Sequence, residues 1–339
     1  MTPRRALVTG TAGFIGFHLA RHLLDAGWVV HGYDGMTDYY DVELKRARHA
    51  RLAAHPAFTA HEAMLEDMGA LEAAAGAAAP DLIVHLAAQA GVRYSLEAPR
   101  AYVEANLVGG FNLLEVARMH APAHLMMAST SSAYGANADM PFAETHRADH
   151  PLTLYAATKK ANEAMAHSYA HLWGIPTTMF RFFTVYGPWG RPDMALYRFV
   201  AAMQAGRPIE LYNGGDMARD FTYVDDLVAG IAALLDRPPP PVAGRRAVHP
   251  ADSLSPAAPW RVVNIGNGTP ARLGDFVAAI EAAMGREAQK VLLPMQKGDV
   301  PATWADTALY EALTGAPLPR TPLREGVAAF VDWYLARGG

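Results

Sequence analysis

Arg4-Arg-Ala-Leu-Val-Thr-Gly-Thr-Ala-Gly-Phe-Ile-Gly16 carries an apolar segment straight into three glycines. The apolar run reads as a buried strand and the glycines as a phosphate cradle. Gly10 allows a sharp turn off the strand, Gly13 lets backbone approach a pyrophosphate, and Gly16 lets the next helix lie close to the sheet. That helix is predicted from Phe14, Ile15, Leu19, Leu23 and Leu24 on one side, and its N-terminus presents free N–H groups to an anion. A second strand, Trp28 to Tyr33, ends in Asp34, where a carboxylate accepts from ribose hydroxyls and repels a 2′-phosphate, so NAD is expected over NADP. The glycine spacing is one residue longer at the first step than the usual fingerprint. It is the strand, helix and acid around it that give it meaning.

Beyond this stretch, apolar segments keep alternating with helical patterns. Small residues, Ala87 and Ala88, close the strand that starts at Asp81, and His124 to Ala128 opens into Ser129-Thr130-Ser131-Ser132. Helices are predicted over Val42–Ala54, Pro99–His120 and Leu152–Trp173, and a strand over Thr177–Phe183. Parallel pairing follows from βαβ crossovers, so the fold class is α/β: a Rossmann-type, doubly wound sheet of six or seven strands. After Phe183 the pattern loosens. The expected division is a cofactor domain over residues 1–183, rejoined by 221–265, and a smaller, discontinuous α/β substrate lobe from 184–220 and 266–339. Residues 238–259, with seven prolines, read as a surface excursion.

Composition narrows the function classes. The chain has 339 residues and a formal charge of −4, leaving no footprint for nucleic acid or acidic membranes. No segment reaches about 18 uninterrupted apolar residues, and the first strand begins too early to leave room for a signal peptide. Absence of cysteine excludes disulfides, thiolate metal sites and a cysteine nucleophile, and suits a cytoplasmic location. Fourteen histidines show no metal-ligand spacing, so no metal is expected. Trp333, Phe330 and Tyr334 read as the apolar face of the last helix.

Tyr155-Ala-Ala-Thr-Lys159 is the second signal, because i and i+4 share one helix face. An ammonium beside a phenol favours phenolate, making Tyr155 a general base, with Lys159 also in reach of ribose hydroxyls. Thr130, at the end of a neighbouring strand, supplies a hydroxyl to share the proton of a reacting alcohol.

Four blocks then carry a family resemblance: His85-Leu-Ala-Ala-Gln-Ala-Gly-Val-Arg-Tyr-Ser95, Tyr155-Ala-Ala-Thr-Lys-Lys-Ala-Asn-Glu163, Arg181-Phe-Phe-Thr-Val-Tyr-Gly-Pro-Trp-Gly-Arg-Pro-Asp193 and Arg219-Asp-Phe-Thr-Tyr-Val-Asp-Asp226. The chain resembles the extended short-chain dehydrogenases/reductases over nearly its whole length, and within them the UDP-glucuronate 4-epimerases. The resemblance implies that Tyr155 takes the proton of the sugar 4-hydroxyl, that hydride leaves C4 for NAD, and that the 4-keto sugar turns before hydride returns to the other face. It extends the cofactor wall to Phe14, Ile15, Leu65, Leu86, Gln89 and Asn106, the last also readable as a buried helix amide. Met64 stands where an adenine-binding Asp is common, leaving Asp67, Glu66 or backbone alone to serve the adenine.

For the substrate, the resemblance implies Ser131, Ser132 and Thr184 at the sugar, Arg219 against phosphate, Tyr212 on uracil, and Asp299 with Gln296 near the uridine ribose. A 4-keto uronate is a β-keto acid and loses CO2 when its carboxylate bond stands perpendicular to the carbonyl plane. Arg191 is the candidate clamp that prevents this, since a guanidinium fork fixes a planar carboxylate, with Arg93 as the weaker candidate. Related decarboxylases carry a glutamate at the position of Ser132, and galactose-type epimerases an asparagine at that of Thr184, so epimerisation of a uronate is favoured over decarboxylation or a UDP-glucose substrate. A non-catalytic NAD(H) sensor, the reading from another class, has no need of an activated phenol. A homodimer through helices Pro99–His120 and Leu152–Trp173 is also implied.

Overall fold

Ala6, Leu7 and Val8 are wholly buried because their strand lies mid-sheet and is covered on both faces, the environment that an unbroken apolar run demands. The computed structural model describes residues 3–338, so the outermost positions of the expected division, 1–2 and 339, lie outside the described residues. In chain order the parallel strands of the main sheet are β1 (Arg5–Thr9), β2 (Val29–Asp34), β3 (Phe58–Glu62), β4 (Leu82–His85), β5 (His124–Ala128), β6 (Thr177–Phe182) and β7 (Trp260–Ile265). Among the described residues these form a seven-stranded sheet in the order β7-β6-β5-β4-β1-β2-β3. The order reverses between β1 and β4, and a doubly wound sheet opens its ligand crevice at that switch point.

Glycine decides the geometry there. Gly10 has φ +81, and a Cβ on Gly16 would stand 2.0 Å from the Gly10 carbonyl oxygen, so the helix Phe14–Asp25 reaches the strand tip only without a side chain.

The second lobe is discontinuous. Strand Ala218–Tyr223 pairs with Thr184–Tyr186, Pro270–Arg272 and Ala302–Thr303, while Ile209–Tyr212 pairs with Lys290–Leu293. Residues 221–223 therefore belong to the lobe sheet, and the chain rejoins the first core at helix Val224–Leu234, which packs against helix Phe14–Asp25. Phe276, Val327, Phe330 and Val331 form the lobe's own core. The expected single helix Pro99–His120 is instead a helical turn, Pro99–Tyr102, then a π-helical segment, Val103–Val108, then helix Gly109–His120. Such bulges re-aim side chains and cluster near functional sites. This one aims Asn106 at the wall behind β4.

Candidate active site

Two cavities meet at the C-terminal edge of the sheet. One of about 260 Å³ runs from the glycine loop past Asp34, Met64, Leu65, Leu86, Ala87, Ala88 and Gln89. The other, of about 870 Å³, lies between sheet and lobe and has room for a nucleotide-sized ligand. Thr130, Tyr155 and Arg191 line both.

The first cavity suits a dinucleotide. Helix Phe14–Asp25 has no side-chain cap at Gly13, so its first-turn N–H groups stay available for phosphate. Asp34 accepts from the Ala12 amide at 2.9 Å and the Met36 amide at 2.9 Å, which ties the carboxylate to the glycine loop on the wall of this cavity. Phe14 and Ile15 line the same wall. Asn106 lies behind that wall, not in it: its Oδ1 accepts from the Gln89 amide at 2.8 Å, and its Nδ2 donates to the Gln89 carbonyl at 3.1 Å and to Thr158 Oγ1 at 3.0 Å. Asp67 caps helix Met68–Ala78 by accepting from the Ala70 amide, whereas Glu66 lines the cavity and keeps a buried Oε2 without a partner. Of the two acids weighed for the adenine, geometry favours Glu66.

Tyr155 is the second residue of helix Leu154–Trp173, which Thr153 caps by accepting from the Ala156 amide at 3.2 Å. Lys159 does share its face, but its Nζ donates to the Ala128 carbonyl at 2.9 Å, the last residue of β5. Burial lowers the Lys159 ammonium to about 8. Burial also pushes the Tyr155 phenol up from its ordinary value, opposed by the Thr130 hydroxyl and by the charge of Arg191. The expected lowering of Tyr155 by Lys159 is therefore corrected: desolvation of the phenol dominates, and the cation acting on it belongs to Arg191. Thr130 lies two residues past the end of β5, beyond the strand end expected for it, and caps the turn Ser131–Tyr134, accepting from the Ser132 amide at 3.1 Å.

In the larger cavity, Ser131, Ser132 and Thr184 line the end near Tyr155. The Arg191 guanidinium is gripped by Asp193 through Nε at 3.0 Å and Nη2 at 2.5 Å, and Tyr39 donates to the same carboxylate at 3.1 Å. Burial works against the charge of Arg191, but Asp193 outweighs it and holds the guanidinium above its usual range. Its Nη1 makes no hydrogen bond within the described residues, so one edge of the fork remains for a ligand.

Arg93 is held by other groups. It donates to Asp299 at 3.2 Å, and its guanidinium stands 4.7 Å over the Tyr212 ring, so its partners differ from those of Arg191 although both arginines line the larger cavity. Arg219 lines the same cavity, with its Nη groups donating to the Ala218, Val300 and Pro301 carbonyls. Gln296 is not brought in: its Oε1 is buried without a partner and outside the cavity wall, because the turn from Gln296 to Asp299 points only its later residues inward.

Sequence reasoning missed Tyr39 and Tyr102. Tyr102 donates to the Ala90 and Gly91 carbonyls at 2.9 and 2.5 Å and holds the loop after β4 against Tyr155. The aromatic loop Asp38-Tyr-Tyr-Asp41 was a signal for the first. No metal-binding cluster of His, Cys, Asp or Glu occurs among the described residues, and no helix among them is long and apolar enough to cross a membrane.

Comparison with known proteins gives a consistent answer. Residues 6–246 match the NAD dependent epimerase/dehydratase family. A "probable UDP-glucuronate 4-epimerase" of Rhizobium meliloti (strain 1021) is 61% identical over 333 residues, 97% of this chain and 96% of that protein. The crystal structure of UDP-glucuronic acid 4-epimerase from Bacillus cereus, in complex with UDP-glucuronic acid and NAD, superposes with a TM-score of 0.86 at 30% identity, covering 98% of this chain and 99% of that one. MoeE5, in complex with UDP-glucose and NAD, superposes with a TM-score of 0.80 at 28% identity, covering 99% and 100%.

Proposed function

The chain belongs to the NAD dependent epimerase/dehydratase family, and from that premise we infer that it interconverts UDP-glucuronate and UDP-galacturonate by inverting C4. One observation carries the reading: Thr130, Tyr155 and Arg191 line both the dinucleotide cavity and the nucleotide-sized cavity, so where the two join a hydroxyl and a phenol are available to the alcohol at C4 and a guanidinium fork to the carboxylate borne by the adjacent C5. Bound NAD supplies an acceptor for the C4 hydride that returns it to the opposite face.

The chain's own residues do the rest. Gly10, Gly13 and Gly16 admit the pyrophosphate, and Asp34 takes the ribose hydroxyls. Tyr155 removes the 4-hydroxyl proton and gives it back. Thr130 hydrogen-bonds the same oxygen, and Arg191 fixes the uronate carboxylate with help from Ser131, Ser132 and Thr184. Arg219, Tyr212, Arg93 and Asp299 hold the UDP end. Lys159, anchored on the β5 carbonyl, positions the helix that bears Tyr155 and faces the ribose.

Incubating purified protein with UDP-glucuronate and following the product by NMR tests this. UDP-galacturonate is expected; UDP-pentose as the main product, or no reaction, contradicts it. We further propose a cytoplasmic homodimer through helices Gly109–His120 and Leu154–Trp173, whose Phe111, Leu172 and Trp173 are exposed in the single chain. Sedimentation at twice the monomer mass is the expected result.

A further inference from the structure

We propose that Arg48 is a positioning residue that holds the Arg191 loop in register with the cofactor loop, an inference that rests on the uronate reading above. Its side chain is wholly buried on helix Val42–Ala53. Nη1 donates to the Ala12 carbonyl in the glycine loop at 2.8 Å and to the Tyr40 hydroxyl at 2.8 Å. Nη2 donates to the Trp189 carbonyl at 2.6 Å and the Gly190 carbonyl at 3.3 Å, immediately before Arg191. One rigid fork thus touches two loops that lie 36 and 141 residues away in sequence.

The loop is held from a second side as well. The His18 ring bridges Asp225 at 3.1 Å and the Pro188 carbonyl at 3.0 Å. Trp189 takes a left-handed φ of 62 and lies between Phe17 and Trp333 at 5.5 and 5.3 Å. A buried cation is costly, and that of Arg48 has backbone carbonyls and a phenol as hydrogen-bond partners, with no carboxylate among the described residues. Lysine cannot reproduce such a planar fork.

The consequence is product fidelity. In a 4-keto uronate whose C5–C6 bond swings perpendicular to the C4 carbonyl, that bond breaks, its electron pair forms the C4–C5 enolate with charge on the C4 oxygen, CO2 leaves, and C5 takes a proton from water; the resulting 4-keto-pentose would become UDP-pentose when the hydride first taken from C4 is returned to it. Holding Arg191 within a fraction of an ångström of its place prevents the swing. Arg48 keeps that distance tied to the cofactor.

The test is the ratio of UDP-pentose to UDP-galacturonate formed from UDP-glucuronate, measured well below the Tm with bound NAD quantified. Arg48→Lys is expected to raise the ratio at least about tenfold. Arg261→Lys, at another buried arginine, which bonds Asp252 of the excursion, is expected to lower the Tm and leave the ratio as in the wild type. An unchanged ratio in Arg48→Lys, or an equal rise in Arg261→Lys, overturns the proposal. If Arg48→Lys does not fold, Tyr40→Phe, which removes one acceptor from the same fork, is expected to raise the ratio about threefold, and no rise there overturns it equally. Failure of the wild type to make UDP-galacturonate would instead sink the uronate reading itself.

Discussion

The cofactor cavity and the substrate cavity are built in opposite ways. The first is made by backbone: strand tips, a helix N-terminus and glycines against which a Cβ would collide. The second is made by long charged side chains that hold one another, Arg191 on Asp193, Arg93 on Asp299 and Arg219 on the carbonyls of residues 300–301. A backbone site tolerates almost no change and offers little choice of ligand. A site of mutually paired side chains can exchange partners when a carboxylate or phosphate arrives, and in that exchange specificity resides.

Substitutions at the join, in the cradle and among the charged pairs should separate these two modes. At the join, Tyr155→Phe should lower kcat by about 10³-fold with NAD and UDP-sugar affinity kept, read by steady-state kinetics and calorimetry. In the cradle, Gly16→Val should reduce NAD affinity by about 100-fold and lower the Tm together, because its side chain would strike the Gly10 carbonyl. Arg191→Ala should cost about 10- to 100-fold in kcat/KM for UDP-glucuronate, release pentose product and leave NAD affinity intact. Arg93→Ala, at the exposed end, should raise KM for the UDP-sugar by no more than about tenfold without changing the product ratio.

Much of the first mode was legible in the sequence, because the glycines, the helix and Asp34 all fall within one βαβ unit whose period and breakers can be read locally. The second mode was only half legible. Residue types in the blocks around Arg191 and Arg219 pointed to anions, but the contacts of Arg93 with Asp299 span 206 residues, and nothing local announces them. The π-helical segment that turns Asn106 toward Gln89 left no trace in the apolar periodicity either. Tyr155 and Lys159 share one helix face as their spacing predicts, yet the direction of the ammonium is set by the β5 carbonyl beside it, which the spacing does not encode.

The framework under the cofactor adds the smallest effect. Burial lowers the His124 imidazole to about 4, where it is held between the Leu235 carbonyl and Thr178. The unfolded chain binds its proton near pH 6.5 and the folded one does not, so this histidine's contribution to stability is full above 6.5 and is lost as pH falls toward 4. His124→Gln should flatten that part of the Tm profile by a few degrees and leave turnover unchanged.

The central claim is that one hydrogen leaves C4 and the same hydrogen returns. UDP-glucuronate carrying deuterium at C4, turned over in ordinary water, should give UDP-galacturonate with the label retained on C4 by NMR. Washout of that deuterium into solvent would contradict the account.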